Sequence, residues 1–117
     1  MYTYKANCTR VVDGDTIDAT IDLGFDITIK KRIRLAGINA PESRTRDLEE
    51  KKLGLAAKDR LIELLDKGSL QVESKEVGKY GRVLGTLTVY PDTDLPININ
   101  ETLVTEGHAV EYDGGKR

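Results

Sequence analysis

Between positions 17 and 23, Ile17, Ala19, Ile21 and Leu23 alternate strictly with Asp18, Thr20 and Asp22. A period of two with one apolar side suits an extended strand with one buried face, and it excludes a helix there. Ile27, Ile29, Ile33 and Leu35 repeat the pattern beyond a turn containing Gly24. Asp13-Gly14 has the composition of a tight hairpin turn, which joins the second strand to an earlier one over Tyr4 to Val12. Three consecutive strands therefore form a meander. From Asp47 to Asp66 the period becomes helical: Leu53, Ala56, Ala57, Leu61, Leu64 and Leu65 fall on one face, Asp47 and Glu50 are placed as a capping pair, and Gly68 is a stop. Two more strands are expected, roughly Ser69 to Glu76 and Arg82 to Tyr90. A Pro91-Asp92-Thr93-Asp94 turn follows, then a short helix from about Glu101 to Glu106 that Asn100 would cap and Gly107 would end.

Five strands with the main helix after the third, and a short helix near the C-terminus, are the order expected of a five-stranded Greek-key barrel of the OB type, mainly β with helices (α+β). The 117 residues suffice for one domain, over 1–117, with a single modest core. With 38% apolar and 32% charged residues and no apolar run long enough to span a bilayer, membrane insertion is excluded as a working expectation. Met1 to Lys5 lead directly into strand-like sequence without an apolar signal segment, so the expected location is cytoplasmic, or secreted if an export segment was removed. Cys8 is the single cysteine and reads as a small core residue in a strand, without a chemical role. The net charge of −2 rules out affinity from a coat of lysine, so any nucleic-acid contact must be local. In the cluster Lys30-Lys31-Arg32-Ile33-Arg34, the first three cations read as a solvated face or a charge-protected strand edge.

Three stretches carry chemistry. Val12-Asp13-Gly14-Asp15-Thr16-Ile17 and Arg34-Leu35-Ala36-Gly37-Ile38-Asn39-Ala40-Pro41-Glu42 bring carboxylates, an amide oxygen and an arginine to the ends of neighbouring strands. Lys79-Tyr80-Gly81-Arg82 adds a second guanidinium and an aromatic ring. Strand parity puts Asp15 in the core-facing row of Ile17, Ala19 and Ile21, a costly place for a charge unless a partner, cation or water compensates it. Asp15, the Asn39 side-chain oxygen and the Ala40 carbonyl would make an incomplete oxygen shell for a hard cation. Asp13 and Asp18 read as turn-forming or solvent-facing, with outer support of that shell as the lesser reading. Pro41 fixes a turn that aims Glu42, a carboxylate able to orient or deprotonate a water.

These stretches, in this order and spacing, resemble the staphylococcal nuclease (thermonuclease) family over about Val11 to Tyr112, including Asn100-Glu101-Thr102-Leu103-Val104 and Gly107. The resemblance implies an OB-fold phosphodiesterase that uses calcium to cleave DNA and RNA, single-stranded or locally open, and leaves 3′-phosphates. It implies Arg34, Glu42 and Arg82 as the catalytic set, Asp15, Asn39 and Ala40 as metal ligands, and Lys79, Tyr80 and Tyr112 as substrate contacts. Planar guanidinium forks suit phosphate oxygens. Two departures stand out: Asn39 where the nuclease of the family name has aspartate, and Ala40 where it has threonine. The first removes a formal charge, and weaker calcium binding is expected from it. His108, the only histidine, is given no role. A noncatalytic OB module that binds nucleic acid or protein is the alternative, favoured by Asn39 and opposed by Arg34, Glu42 and Arg82. A phosphodiesterase acting on a small nucleotide is a third reading. A monomer is the default.

Overall fold

A computed structural model describes residues 2–77 and 83–112. Long strands β1 (Tyr2–Asp13), β2 (Thr16–Asp22) and β3 (Thr28–Leu35) are followed by the short β4 (Ile38–Asn39) and helix α1 (Leu48–Leu65). Strands β5 (Ser69–Val77) and β6 (Val83–Tyr90), the short β7 (Ile97–Asn98), helix α2 (Ile99–Thr105) and the short β8 (Val110–Glu111) complete the chain. The sheet runs β3-β2-β1-β5-β6-β7, and a parallel pairing of β3 with β6 closes its five long strands into a barrel. The meander is as the alternating pattern requires and the OB architecture as the family resemblance implies, and closure buries Ile17, Ala19, Ile21, Ile33 and Leu35, while Leu23 and Ile27, which continue the apolar alternation, lie in the exposed turn between β2 and β3. Ile17, Ile33, Leu87 and Val89 are completely buried inside it.

Helix α1 plugs one end of the barrel, though not with all of the expected residues. Ala57, Leu61 and Leu64 are buried, whereas Leu53 is 61% exposed and Ala56 also faces outward. The cause is Gly54, which is itself buried. A Cβ there would lie 2.2 Å from the Glu42 carbonyl oxygen, so the helix rests on the chain at positions 42–43 through a glycine, and the face is turned away from Leu53. Asp47 caps α1 by accepting from the amides of Glu49 (3.0 Å) and Glu50 (3.3 Å). Glu50 does not close the reciprocal box; its carboxylate accepts from the Glu42 amide instead, at 3.3 Å.

The cap of α2 also shifts. Asn98 accepts from the Glu101 amide at 3.0 Å, so the helix starts at Ile99 and Asn100 lies inside its first turn. Buried there, Asn100 accepts from the Leu87 amide (3.0 Å) and donates to the carbonyls of Ala36 (2.8 Å) and Gly85 (3.2 Å). Its tie to the segment after β3 is worth more than a cap in an apolar setting, where an unpaired amide is expensive. The buried neighbours Ile99 and Leu103 are the sequence signal that could have revealed it.

Candidate active site

The β1–β2 turn is as tight as its sequence suggests, with Asp13 facing Thr16 across a two-residue loop, Gly14-Asp15. Gly14 is needed for space: a Cβ on it would come within 2.6 Å of the Ala57 side chain of α1. The turn is thereby held against the helix, and Asp15 emerges into the barrel mouth.

Asp15 is 7% exposed, and its carboxylate is fully compensated. Oδ1 accepts from the Thr16 hydroxyl at 2.9 Å, and Oδ2 accepts from the Ala40 amide at 2.8 Å. Arg34 lies 3.1 Å from Oδ2 as an ion pair. The same guanidinium donates to the Asn39 Oδ1 at 3.1 Å and to the Asp15 carbonyl at 3.4 Å. Arg34 is thus a clasp between two oxygen-bearing side chains on different elements. The ladders fix its position, since Arg34 pairs with Thr16 across β2–β3 while Asn39 pairs with Val110 across β4–β8.

Beyond Ala40 the chain is fastened by residues that the sequence left in lesser roles. Asp13 Oδ1 accepts from the Ser43 amide at 3.1 Å and also from the Ser43 hydroxyl. Ser43 is buried. Together with Glu50 and Gly54, this clamp fixes the backbone on both sides of Glu42 and leaves the Glu42 side chain exposed at the surface. Asp18 does not join the site; it forms a two-pronged ion pair with Arg32 at 2.8 and 3.2 Å. The Arg32 guanidinium holds the Asp18 carboxyl below the usual carboxylate range. Burial pushes the Cys8 thiol up from its ordinary value.

Asp15, Arg34, Asn39 and Ala40 are therefore joined by direct contacts, and Glu42 follows two residues on. Tyr112 enters the same neighbourhood through its backbone, its amide donating to the Gly37 carbonyl at 2.8 Å just before β4. Lys79, Tyr80 and Arg82 lie outside the described residues. Among the described residues no three His, Cys, Asp or Glu side chains gather as a metal cluster. The donors here are of another kind: one carboxylate and one amide oxygen converging on a single cationic group, beside a main-chain segment. All are hard oxygen donors, so the set suits a hard cation in kind, with one formal negative charge to hold it.

Fold and site together define an OB-type barrel with a guanidinium and oxygen ligands at its mouth, an arrangement suited to phosphate chemistry. The Staphylococcal nuclease homologue family model matches residues 32–116. The chain is 38% identical over 113 residues to "Micrococcal nuclease" of Shigella flexneri, covering 93% of this chain and 59% of that protein. It is 31% identical over 112 residues to "Protein ParB" of Escherichia coli, covering 92% of this chain and 57% of that one. The chain belongs to the staphylococcal nuclease family, and it spans less than two thirds of the length of these curated relatives.

Proposed function

We propose that this chain is a calcium-dependent, sugar-nonspecific nuclease that hydrolyses phosphodiester bonds in DNA and RNA and leaves 3′-phosphates. The observation that carries this reading is the Arg34 clasp on Asp15 and Asn39. Asp15, Asn39 and the Ala40 carbonyl would hold the calcium ion, which when bound supplies positive charge to a phosphate oxygen. Glu42 orients or deprotonates the attacking water from a backbone that Asp13, Ser43 and Glu50 hold still. The Arg34 contacts to Asp15 and Asn39 run through Nη1 and Nη2, which leaves the Nε–H as a donor for a non-bridging phosphate oxygen. Arg82 is assigned the second guanidinium, so that both face the charge that builds during in-line displacement. Lys79, Tyr80 and Tyr112 are assigned the flanking phosphates and bases, in substrates that are single-stranded or locally open. We propose that it acts as a monomer. Micrococcal nuclease of Shigella flexneri, by its name and identity, supports the nuclease class of this reading.

A second reading follows from the same clasp. Asn39 contributes no charge, and Arg34 already neutralises Asp15, so the mouth is electrostatically closed without a metal; a noncatalytic OB module that binds nucleic acid or protein would look like this. Incubation of the protein with single-stranded DNA and RNA, under calcium, magnesium or chelator and beside Arg82→Ala, separates the two. Calcium-dependent cleavage absent from the variant is the expected result. No cleavage under any condition would leave the binding module.

A further inference from the structure

The hairpin that carries Arg34 at one end has an unusual tip at the other. Gly24, Phe25 and Asp26 all have positive φ, at 84°, 55° and 62°. The turn is closed by hydrogen bonds from the Leu23 amide to the Ile27 carbonyl (2.8 Å) and from the Ile27 amide to the Gly24 carbonyl (3.0 Å). The Asp22 carboxylate accepts from the Gly24 amide at 2.8 Å. Such a left-handed pair is cheap for Asn-Gly and strained for a bulky side chain. Phe25, the only phenylalanine, nevertheless occupies it with 98% exposure, beside Leu23 and Ile27 at 39% and 53%. The residue contributes nothing to the core and opposes its own turn. Strain of this kind, kept at a well-built tip, points to use.

The strand between tip and mouth has a matching character. Arg34, Arg32 and Lys30 alternate along one face of β3, so the face that presents Arg34 to the site continues toward the tip. Arg32 is consumed by Asp18, but Lys30 and Lys31 are exposed and form no ion pair among the described residues. They border a groove of about 310 Å³ that also touches Thr9 and Asp18. Thr28 to Arg34 spans six strand steps, about 20 Å, a distance several nucleotides can bridge.

We infer that the outer face of β3, from Arg34 to the Phe25 tip, is a track for one arm of a single-stranded nucleic-acid substrate. The inference rests on the nuclease reading above and adds a remote subsite to it. Lys30 neutralises a phosphate along the groove, and Phe25 stacks on a base. Asp22 and Asp26, in the same turn as Phe25, place negative charge at the tip, which disfavours a phosphate or an anionic lipid there and leaves an uncharged base face as the group the tip accepts. A prepositioned ring stacks without choosing a sequence.

The test compares kcat/KM for a 20-nucleotide single-stranded DNA with that for a trinucleotide, in the parent protein, Phe25→Ala, Phe25→Trp and Lys30→Ser. The parent is expected to favour the long substrate. Phe25→Ala should lower that preference about 5- to 150-fold, through KM, and Phe25→Trp should restore it. Lys30→Ser should reduce the slope of log affinity against log salt for the long substrate by about 0.7. An unchanged preference in Phe25→Ala, equal losses on both substrates, or no rescue by tryptophan overturns the track while leaving the nuclease intact. If the parent cleaves neither substrate, the nuclease reading fails, and fluorescence anisotropy of the labelled 20-mer decides the track alone: equal binding by parent and Phe25→Ala overturns it. A change in sedimentation of Phe25→Ala with unaltered oligonucleotide affinity also overturns it, in favour of contact between protein chains.

Discussion

Two arginine–aspartate pairs join β3 to the β2 side of the same hairpin, their arginines two residues apart, and they are different objects. Arg34–Asp15 lies at the barrel mouth with side chains 17% and 10% exposed, whereas Arg32–Asp18 lies on the outer surface at 45% and 29%. The outer pair has the better hydrogen-bond geometry, yet water solvates either partner almost as well when the other leaves. The inner pair is surrounded by Thr16, Ala40 and Asn39, and loss of one partner strands a charge. Depth, not the shape of the bond, separates the clasp at the mouth from the pair on the outer surface. A few ångströms of burial change what the same two residue types can do.

Removing the arginine from each pair is the most direct way to break this contrast. Arg34→Ala is expected to cost about 3 to 5 kcal/mol in urea unfolding and to lower turnover at least about 100-fold. Arg32→Ala is expected to cost less than about 1 kcal/mol. Equal stability losses would show that the mouth is as well solvated as the outer face. Calcium should recover part of the stability lost in Arg34→Ala, because a cation that binds Asp15 only in the folded state takes over the missing charge.

The next largest effect concerns how the mouth is held. Gly54→Ala should stabilise an isolated helix by about 1 kcal/mol. Here the added methyl collides with the Glu42 backbone, so a net loss of about 1 to 3 kcal/mol is expected, with reduced turnover as Glu42 shifts. A gain in thermal stability would mean that positions 42–43 are not fixed by α1. Asn39→Asp sharpens the electrostatic side of the contrast. A second carboxylate facing Arg34 should tighten calcium binding about tenfold in calorimetric titration, and unchanged affinity would remove Asn39 from the ligand set.

The smallest expected effect is acid sensitivity at the surface. Arg60 donates to both Glu106 oxygens, at 2.7 and 2.8 Å, linking α1 to the end of α2, and holds that carboxyl below its ordinary range. A depressed folded-state pKa gives stability that is present above the unfolded value and lost as pH falls through the folded one, so the loss lies below about pH 4.3. With both side chains partly solvated, it should amount to less than about 1 kcal/mol. Glu106→Gln should flatten the stability profile only in that acid window; flattening near neutrality would contradict the assignment.

Much of the fold was legible because burial on one face of a strand leaves a period of two in the residues. That pattern delivered β2, β3 and the core row that ends in Asp15. The helix was legible as an element but not as a face, since Leu53 and Ala56 share the helical period with the buried residues and only the contact through Gly54 decides which side turns inward. Asn98 and Asn100 are chemically equivalent caps in sequence, and the choice between them depends on the amide and carbonyls that β6 and Ala36 present to Asn100. In the site, the identities of Asp15, Arg34, Asn39 and Ala40 could be read from short motifs. Their mutual contacts could not, because residues 15, 34 and 39 meet across three separate strand ends.

By itself, then, the amino-acid order determined the five long strands, the main helix and the short stretches that carry chemistry, because each is written in local periodicity and turn composition, and the barrel class followed from the family resemblance of those stretches. Tertiary structure alone decided that Arg34 clasps Asp15 and Asn39, that Asp13 and Ser43 fasten the backbone around Glu42, and that Phe25 stands in solvent. Those outcomes depend on which distant groups arrive within hydrogen-bond reach and how much water is excluded when they do. Neither quantity has a local signature in the chain.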